Sequence, residues 1–268
     1  MMIKKAVLPV AGMGTRFFPA TKVVPKELLP LGNKPVIQYL VEEAVSSGIE
    51  EIIFVISKGK ELIKDHFLHN PNLEDILKKR GKNKPLEEID NIHNLAKFTY
   101  VYQDEPLGDG HAILMAEEAI GGEPFLVLFG DDIVKGDVPA AKQLMDKFDG
   151  ESIMAVEKIP QEKTCCYGVI KPNNVSDKFY EVIDMVEKPS PDKAPSDLGI
   201  IGKYICSPEI FNAIRGASTG QDGEMRLIDG FIKLKNDQKV WAVEIKGQRF
   251  DTGTPEGLVE ASRAFLGD

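Results

Sequence analysis

Cysteine, histidine and tryptophan are scarce in this chain, with three, four and one among 268 residues. Cys165 and Cys166 are adjacent and Cys206 stands alone, which gives neither a C-x-x-C pair nor a disulfide framework and suits a reducing, cytoplasmic setting. His66, His69, His93 and His111 follow no zinc-site spacing; His66 and His69 lack a nearby partner ligand and read as surface helix residues. Positive charge is not in excess either. The formal net charge of −9 excludes general nucleic-acid binding, because sequence-independent affinity for DNA or RNA needs a basic surface. No apolar run reaches the ~20 residues that span a bilayer, so no membrane segment is expected. Lys4-Lys5 followed by Ala6 to Val10 has the outline of a secretory leader, but Pro9 and a glycine loop interrupt it, which leaves a buried first strand.

Two familiar phosphate-binding signatures are also missing. Gly14 is followed by Thr15-Arg16 where a P-loop needs Gly-Lys-Ser/Thr, and Phe17 stands where a dinucleotide fingerprint needs its third glycine. In their place an apolar strand runs into Ala11-Gly12-Met13-Gly14-Thr15-Arg16, and Arg16, Lys22 and Lys26 precede the first carboxylate, Glu27. Glycines let backbone N–H groups approach phosphate oxygens, and fixed cations balance their charge. Pro19, Pro25, Pro30 and Pro35 suggest a largely extended segment that wraps a ligand. A cationic loop on an acidic protein points to a small polyanion such as a nucleoside triphosphate, held in a focused site.

Elsewhere the pattern is that of an α/β protein. Residues 3–10 and Ile52 to Ile56 read as buried strands around a helix over Val36 to Ser47, a βαβ unit. Residues 70–97 read as a charged helical insertion, after which strand Phe98 to Gln103, helix Ala112 to Ala119 and strand Phe125 to Phe129 resume the alternation. Beyond about residue 150, strand-like runs crowd together and part of the sheet turns antiparallel. The expectation is a Rossmann-like mixed, mostly parallel sheet flanked by helices, with a small antiparallel lobe.

Further chemistry sits at strand ends. Gly130-Asp131-Asp132 follows an apolar strand, where carboxylates are well sited to hold Mg²⁺ against phosphates; Asp131 is the stronger candidate, and whether Asp132 shares the ion stays open. Asp251, in Asp251-Thr252-Gly253-Thr254-Pro255, is a candidate second carboxylate, with Thr254 capping the last helix. Glu187-Lys188 could accept from sugar hydroxyls and pair with a phosphate, or be a surface pair. Gln103 and the loop through Gly108 to His111 suit a flat base, with His111 capping or packing at the next helix.

Taken in order, these motifs resemble the sugar-1-phosphate nucleotidyltransferases, and the Pro-Ala-Thr-Lys22 and Pro-Lys26-Glu27 forms resemble their uridylyltransferase branch; related thymidylyltransferases usually carry Gln at the position of Glu27. The resemblance spans nearly the whole chain and includes Tyr167-Gly168, Gly223-Glu224 and Asp251 to Thr254. It implies one domain over residues 1–268, with about 1–150 binding nucleotide and 151–268 contributing the sugar-phosphate part and a C-terminal helix. It implies uridylyl transfer from UTP to glucose 1-phosphate, yielding UDP-glucose and pyrophosphate, with Mg²⁺ as cofactor. Arg16 and Lys26 are then catalytic. Ala11, Gly12, Gly14, Thr15, Glu27, Gln103 and Gly108 bind the nucleotide; Gly168, Glu187 and Lys188 bind the sugar phosphate; Asp131 and Asp251 hold the metal. Relatives form dimers or tetramers, so a homo-oligomer is implied. Transfer from dTTP, CTP or ATP, and a non-catalytic nucleotide-sugar-binding regulator, remain as alternatives.

Overall fold

The computed structural model describes residues 2–220 and 223–266. It opens with β1 (Lys5–Pro9), and the glycine loop leads through 3-10 turns at Thr15–Phe17, Ala20–Lys22 and Lys26–Leu28 into a small hairpin of β2 (Pro30–Leu31) and β3 (Lys34–Pro35). The extended path expected here is therefore corrected to a string of tight turns. Pro19 and Pro25 each occupy the residue before a turn, where a ring-fixed φ suits turn entry. Next come α1 (Val36–Ser46), β4 (Glu51–Ile56), α2 (Glu61–Phe67), the insertion helices α3 (Pro71–Lys79) and α4 (Asn83–His93), and β5 (Lys97–Tyr102). The helix expected over Ala112 to Ala119 starts earlier and breaks at Ala116, giving α5 (Asp109–Met115) and α6 (Glu117–Ile120). β6 (Phe125–Leu128), β7 (Asp132–Lys135) and α7 (Ala140–Met145) complete the first half.

The second half contains β8 (Ile153–Lys158), β9 (Gly168–Ser176), β10 (Phe179–Glu187), β11 (Leu198–Cys206), α8 (Ile210–Arg215), α9 (Leu227–Leu234), β12 (Trp241–Glu244), β13 (Gln248–Asp251) and α10 (Pro255–Phe265). One nine-stranded sheet runs β5-β4-β1-β6-β11-β8-β12-β10-β9. Its β5, β4, β1 and β6 are mutually parallel, while β11 is antiparallel to both β6 and β8. The far strands curl until β9 also meets β11 at Gly199 and Val169, so the antiparallel part is continuous with the main sheet. β7 and β13 form a separate two-stranded ribbon.

Alternation along the strands explains the two cores. On β1, Ala6 and Leu8 face a cluster with Ile37 and Leu40 of α1, Ile63 of α2 and Leu144 of α7; Val7 faces a second cluster with Ile113 of α5, Ile214 of α8 and Phe231 of α9. Helices thus cover both faces. Among the described residues no helix is long and apolar enough to cross a membrane.

One charge lies inside the first core. Lys203 of β11 is 0% exposed and donates to Glu43 Oε2 of α1 at 2.8 Å, while Glu43 Oε1 accepts from the Ala141 N–H at 2.9 Å. Removing one partner of a buried pair strands the other charge. Lys203→Met is expected to lower unfolding free energy by about 3–5 kcal/mol in urea titration. Glu43→Gln combined with Lys203→Met is expected to recover at least half of that loss.

Candidate active site

The parallel pairing of β1 with β6 sets the glycine loop beside the Gly130-Asp131-Asp132 turn. Gly14 has φ +66°, the left-handed region that glycine adopts without strain, and its carbonyl accepts from Thr21 Oγ1 at 2.7 Å. This folds the chain back and brings Lys26 inward. Lys26 Nζ lies 2.5 Å from Asp131 Oδ2. Burial alone would lower the Lys26 pKa and raise that of Asp131, but each offsets the other: the ammonium is held above its ordinary value and the carboxyl below its own. Arg16 reaches over the same place, its Nη1 3.4 Å from the Gly253 carbonyl. Lys22 stays exposed on the outer side, where it borders a cavity of about 540 Å³ with Met13, Phe18 and Ser57.

Asp251 comes from the β7–β13 ribbon, in which it pairs with Asp132. Thr252 then ties the ribbon to the turn, donating from N (2.8 Å) and Oγ1 (3.0 Å) to the Asp131 carbonyl. Gly253 sits between the two candidate carboxylates. A Cβ there would lie 2.6 Å from Asp131 Oδ2 and 2.9 Å from Asp251 Oδ1, so the missing side chain leaves a hollow faced by two carboxylate oxygens. That oxygen-only donor pair fits a hard divalent cation such as Mg²⁺. Asp132 is occupied elsewhere: it is buried, paired with the Arg249 guanidinium, and accepts from the Gly202 N–H at 2.8 Å. It braces the turn.

Ala11 is 8% exposed, whereas Gly12 and Thr15 are open to solvent beside it. Gln103 follows β5 and is buried; its Nε2 donates to the Gly108 carbonyl at 3.0 Å and lies 2.9 Å from His111 Nδ1. Gly108 has φ +103°, and a Cβ there would run into the Met225 carbonyl, so this position accepts only glycine. Gly168 and Glu187 are register partners on β9 and β10. Lys188 follows with φ +47°, uncommon for a side-chain-bearing residue; its N–H donates to the Tyr167 carbonyl at 2.9 Å and its Nζ lies 3.3 Å from Glu187 Oε1. The expected sugar-phosphate residues therefore meet at one edge.

Glu27 needs a correction. Expected among the nucleotide contacts, it is 1% exposed and points behind the loop, where Lys60 Nζ reaches Oε2 at 2.9 Å and the Val10 carbonyl at 2.7 Å. A buried carboxylate requires such a partner, and the pair holds the loop against β1. Lys60 carried no motif. Arg249 was equally hidden: besides Asp132 it donates to Glu157 Oε1 at 3.0 Å and Tyr167 Oη at 2.9 Å, joining the acidic turn to the start of β9. Asp109 is a third. Its Oδ1 accepts the Leu227 N–H at 2.7 Å, and burial, with Glu187 and Glu224 nearby, pushes its pKa up to about 6. A larger cavity, about 730 Å³ and lined by Lys147, Lys178 and Gly247, includes none of the expected site residues.

The pattern of the Nucleotidyl transferase family matches residues 5–267. The chain belongs to the nucleotidyl transferase family. Within curated proteins, this nucleotidyl transferase is 45% identical to the UTP–glucose-1-phosphate uridylyltransferase of Bacillus subtilis (strain 168), over 98% of the chain and 91% of the relative. It is 46% identical to the enzyme of the same name from Staphylococcus epidermidis, over 97% and 91%. Among solved structures it resembles a UDP-glucose pyrophosphorylase complexed with UDP-glucose (TM-score 0.90, 40% identity, 99% of each chain). It also resembles a UTP-bound enzyme from Acinetobacter baumannii (TM-score 0.92, 34% identity, 98% and 93%).

Because Gly253 does not have a left-handed φ, alanine suits its backbone, and its Cβ pushes the Asp131 and Asp251 carboxylates aside. Gly253→Ala is expected to leave the thermal midpoint within a few degrees of the parent while weakening Mg²⁺ affinity at least ~10-fold, through crowding of both carboxylates. Calorimetric Mg²⁺ titration beside a thermal melt checks both halves.

Proposed function

We propose that this nucleotidyl transferase moves the uridylyl group of UTP onto glucose 1-phosphate, giving UDP-glucose and pyrophosphate. The observation that carries the reading is the convergence of Arg16, Lys26, Asp131 and Asp251 on the hollow at Gly253, in a chain 45% identical to a uridylyltransferase. A phosphate oxygen of glucose 1-phosphate attacks the α-phosphorus of UTP; the new P–O bond forms as the bond to the β-phosphate bridging oxygen breaks, and pyrophosphate departs. A phosphate monoester has its second pKa near ~6, so the nucleophile is already ionised at neutral pH and no general base is needed. The barrier is the meeting of two anions. Arg16 and Lys26 neutralise the triphosphate and the charge developing at the α-phosphorus, while Lys188 holds the incoming phosphate and Glu187 accepts from glucose hydroxyls. Asp131 and Asp251 would hold Mg²⁺, which supplies further neutralisation of phosphate oxygens when bound.

Base choice follows from Gln103. With Nε2 engaged by the Gly108 carbonyl and His111, its Oε1 is left to accept. Uracil offers N3–H to such an acceptor; cytosine has a bare N3 there and is rejected. Thymine shares the N3–H, so this contact alone passes it. The Ala11–Gly12 backbone, with Gly14 and Thr15, lies where the nucleotide would be cradled, and the first half of the chain thus serves the nucleotide while the second serves the sugar phosphate.

The direct test is pyrophosphate release from glucose 1-phosphate with UTP, dTTP, CTP and ATP in turn, with and without Mg²⁺. Mg²⁺-dependent turnover fastest with UTP is expected; a faster reaction with another triphosphate moves the base assignment, and no release with any sinks the reading. Lys26→Ala is expected to lower kcat by about 10²–10³ in a folded protein. Gln103→Leu is expected to narrow the UTP-over-CTP preference by about 10- to 100-fold in kcat/KM, read from the same assay.

A further inference from the structure

We propose that His69, Glu74, Asp90 and His93 form a binding site for one divalent transition-metal ion of the zinc class, clamping the base of the α3–α4 insertion. In sequence His69 and His93 are twenty-odd residues apart and look unpartnered. The helical hairpin returns the end of α4 to the start of α3 and corrects that reading: one donor atom from each of the four residues lies within 4.8 Å of all the others. Four-coordinate zinc, with bonds of ~2.0–2.2 Å, needs donors about 3.3–3.6 Å apart, so modest side-chain rotation closes the site. His69 Nδ1 is already 3.0 Å from Glu74 Oε1, and the two imidazole centroids are 3.3 Å apart.

His93 supplies the decisive detail. Its side chain is only 10% exposed, yet it makes no hydrogen bond among the described residues; the nearest carboxylate oxygen, Asp90 Oδ1, is 3.9 Å from Nε2. With no hydrogen bond to surrender, its ring nitrogens are available to a metal ion. Glu74 is similarly sheltered, at 12% side-chain exposure, with its Oε1 already within hydrogen-bond distance of His69. Two imidazoles with two carboxylates suit zinc and its transition-metal neighbours, whereas magnesium prefers oxygen alone. The insertion also has the most to gain. Neither α3 nor α4 contains a buried residue, and Leu73 and Ile76 are exposed, so the hairpin has little core of its own and a cross-link between its ends stabilises it.

The test uses the untagged full chain, freed of metal with EDTA and titrated with Zn²⁺ in excess Mg²⁺, which saturates the all-carboxylate hollow at Gly253. About one Zn²⁺ per chain is expected, with a rise in thermal midpoint and, on Co²⁺ substitution, the intense visible absorption of a four-coordinate ion. His93→Ala and His69→Ala should each weaken Zn²⁺ binding by more than about 100-fold, beyond the loss typical of an indirect contact, and abolish the thermal shift. The His69 side chain is 58% exposed, so its replacement leaves the fold intact and nucleotidyl transfer unchanged. Absence of Zn²⁺ binding under excess Mg²⁺, binding unaltered in both variants, or a six-coordinate Co²⁺ spectrum would each overturn the proposal.

Discussion

The parallel pairing of β1 with β6, Ala6 against Leu126 and Val7 against Val127, is the constraint from which the candidate active site follows. Side-by-side parallel strands end at the same edge of the sheet, so the chain leaving β1 as a glycine loop and the chain leaving β6 as an acidic turn must meet. Lys26 and Asp131, 105 residues apart in sequence, form their ion pair there. Both β strands are apolar on both faces because helices cover the sheet on each side, and this burial keeps the edge rigid under a concentration of charge.

Around that edge the protein uses buried ion pairs as braces. Glu27–Lys60 supports the glycine loop from behind, Asp132–Arg249 supports the acidic turn, and Lys203–Glu43 ties β11 to α1. Such pairs contribute little net stability, since the desolvation of both ions offsets their attraction. Their consequence is positional: the first two each leave one neighbouring charge, Lys26 or Asp131, facing the site while the adjacent residue faces inward. Arg249 extends the bracing to Tyr167 and so couples the acidic turn to the strand that begins with Gly168.

Much of this was legible in the chain. Alternating apolar strands and amphipathic helices revealed the α/β class, and the ordered motifs revealed the family, because both are local patterns repeated along the sequence. The course of the glycine loop was less legible, since prolines suggest extension yet equally suit entry into 3-10 turns. Neighbouring acids could be ranked but not separated: Asp131 and Asp132 differ by one position, and only the start of β7 sends them in opposite directions.

What the sequence determined by itself was the kind of chemistry: a cationic glycine loop and acids at strand ends. These follow from residue type and local conformation. Only the tertiary structure decided which charges face a ligand and which serve as braces, and that His69 and His93 share one place at the base of a hairpin. The reason is that a side chain's partner is set by the pairing of strands and the return of helices, contacts between distant residues that no local pattern encodes.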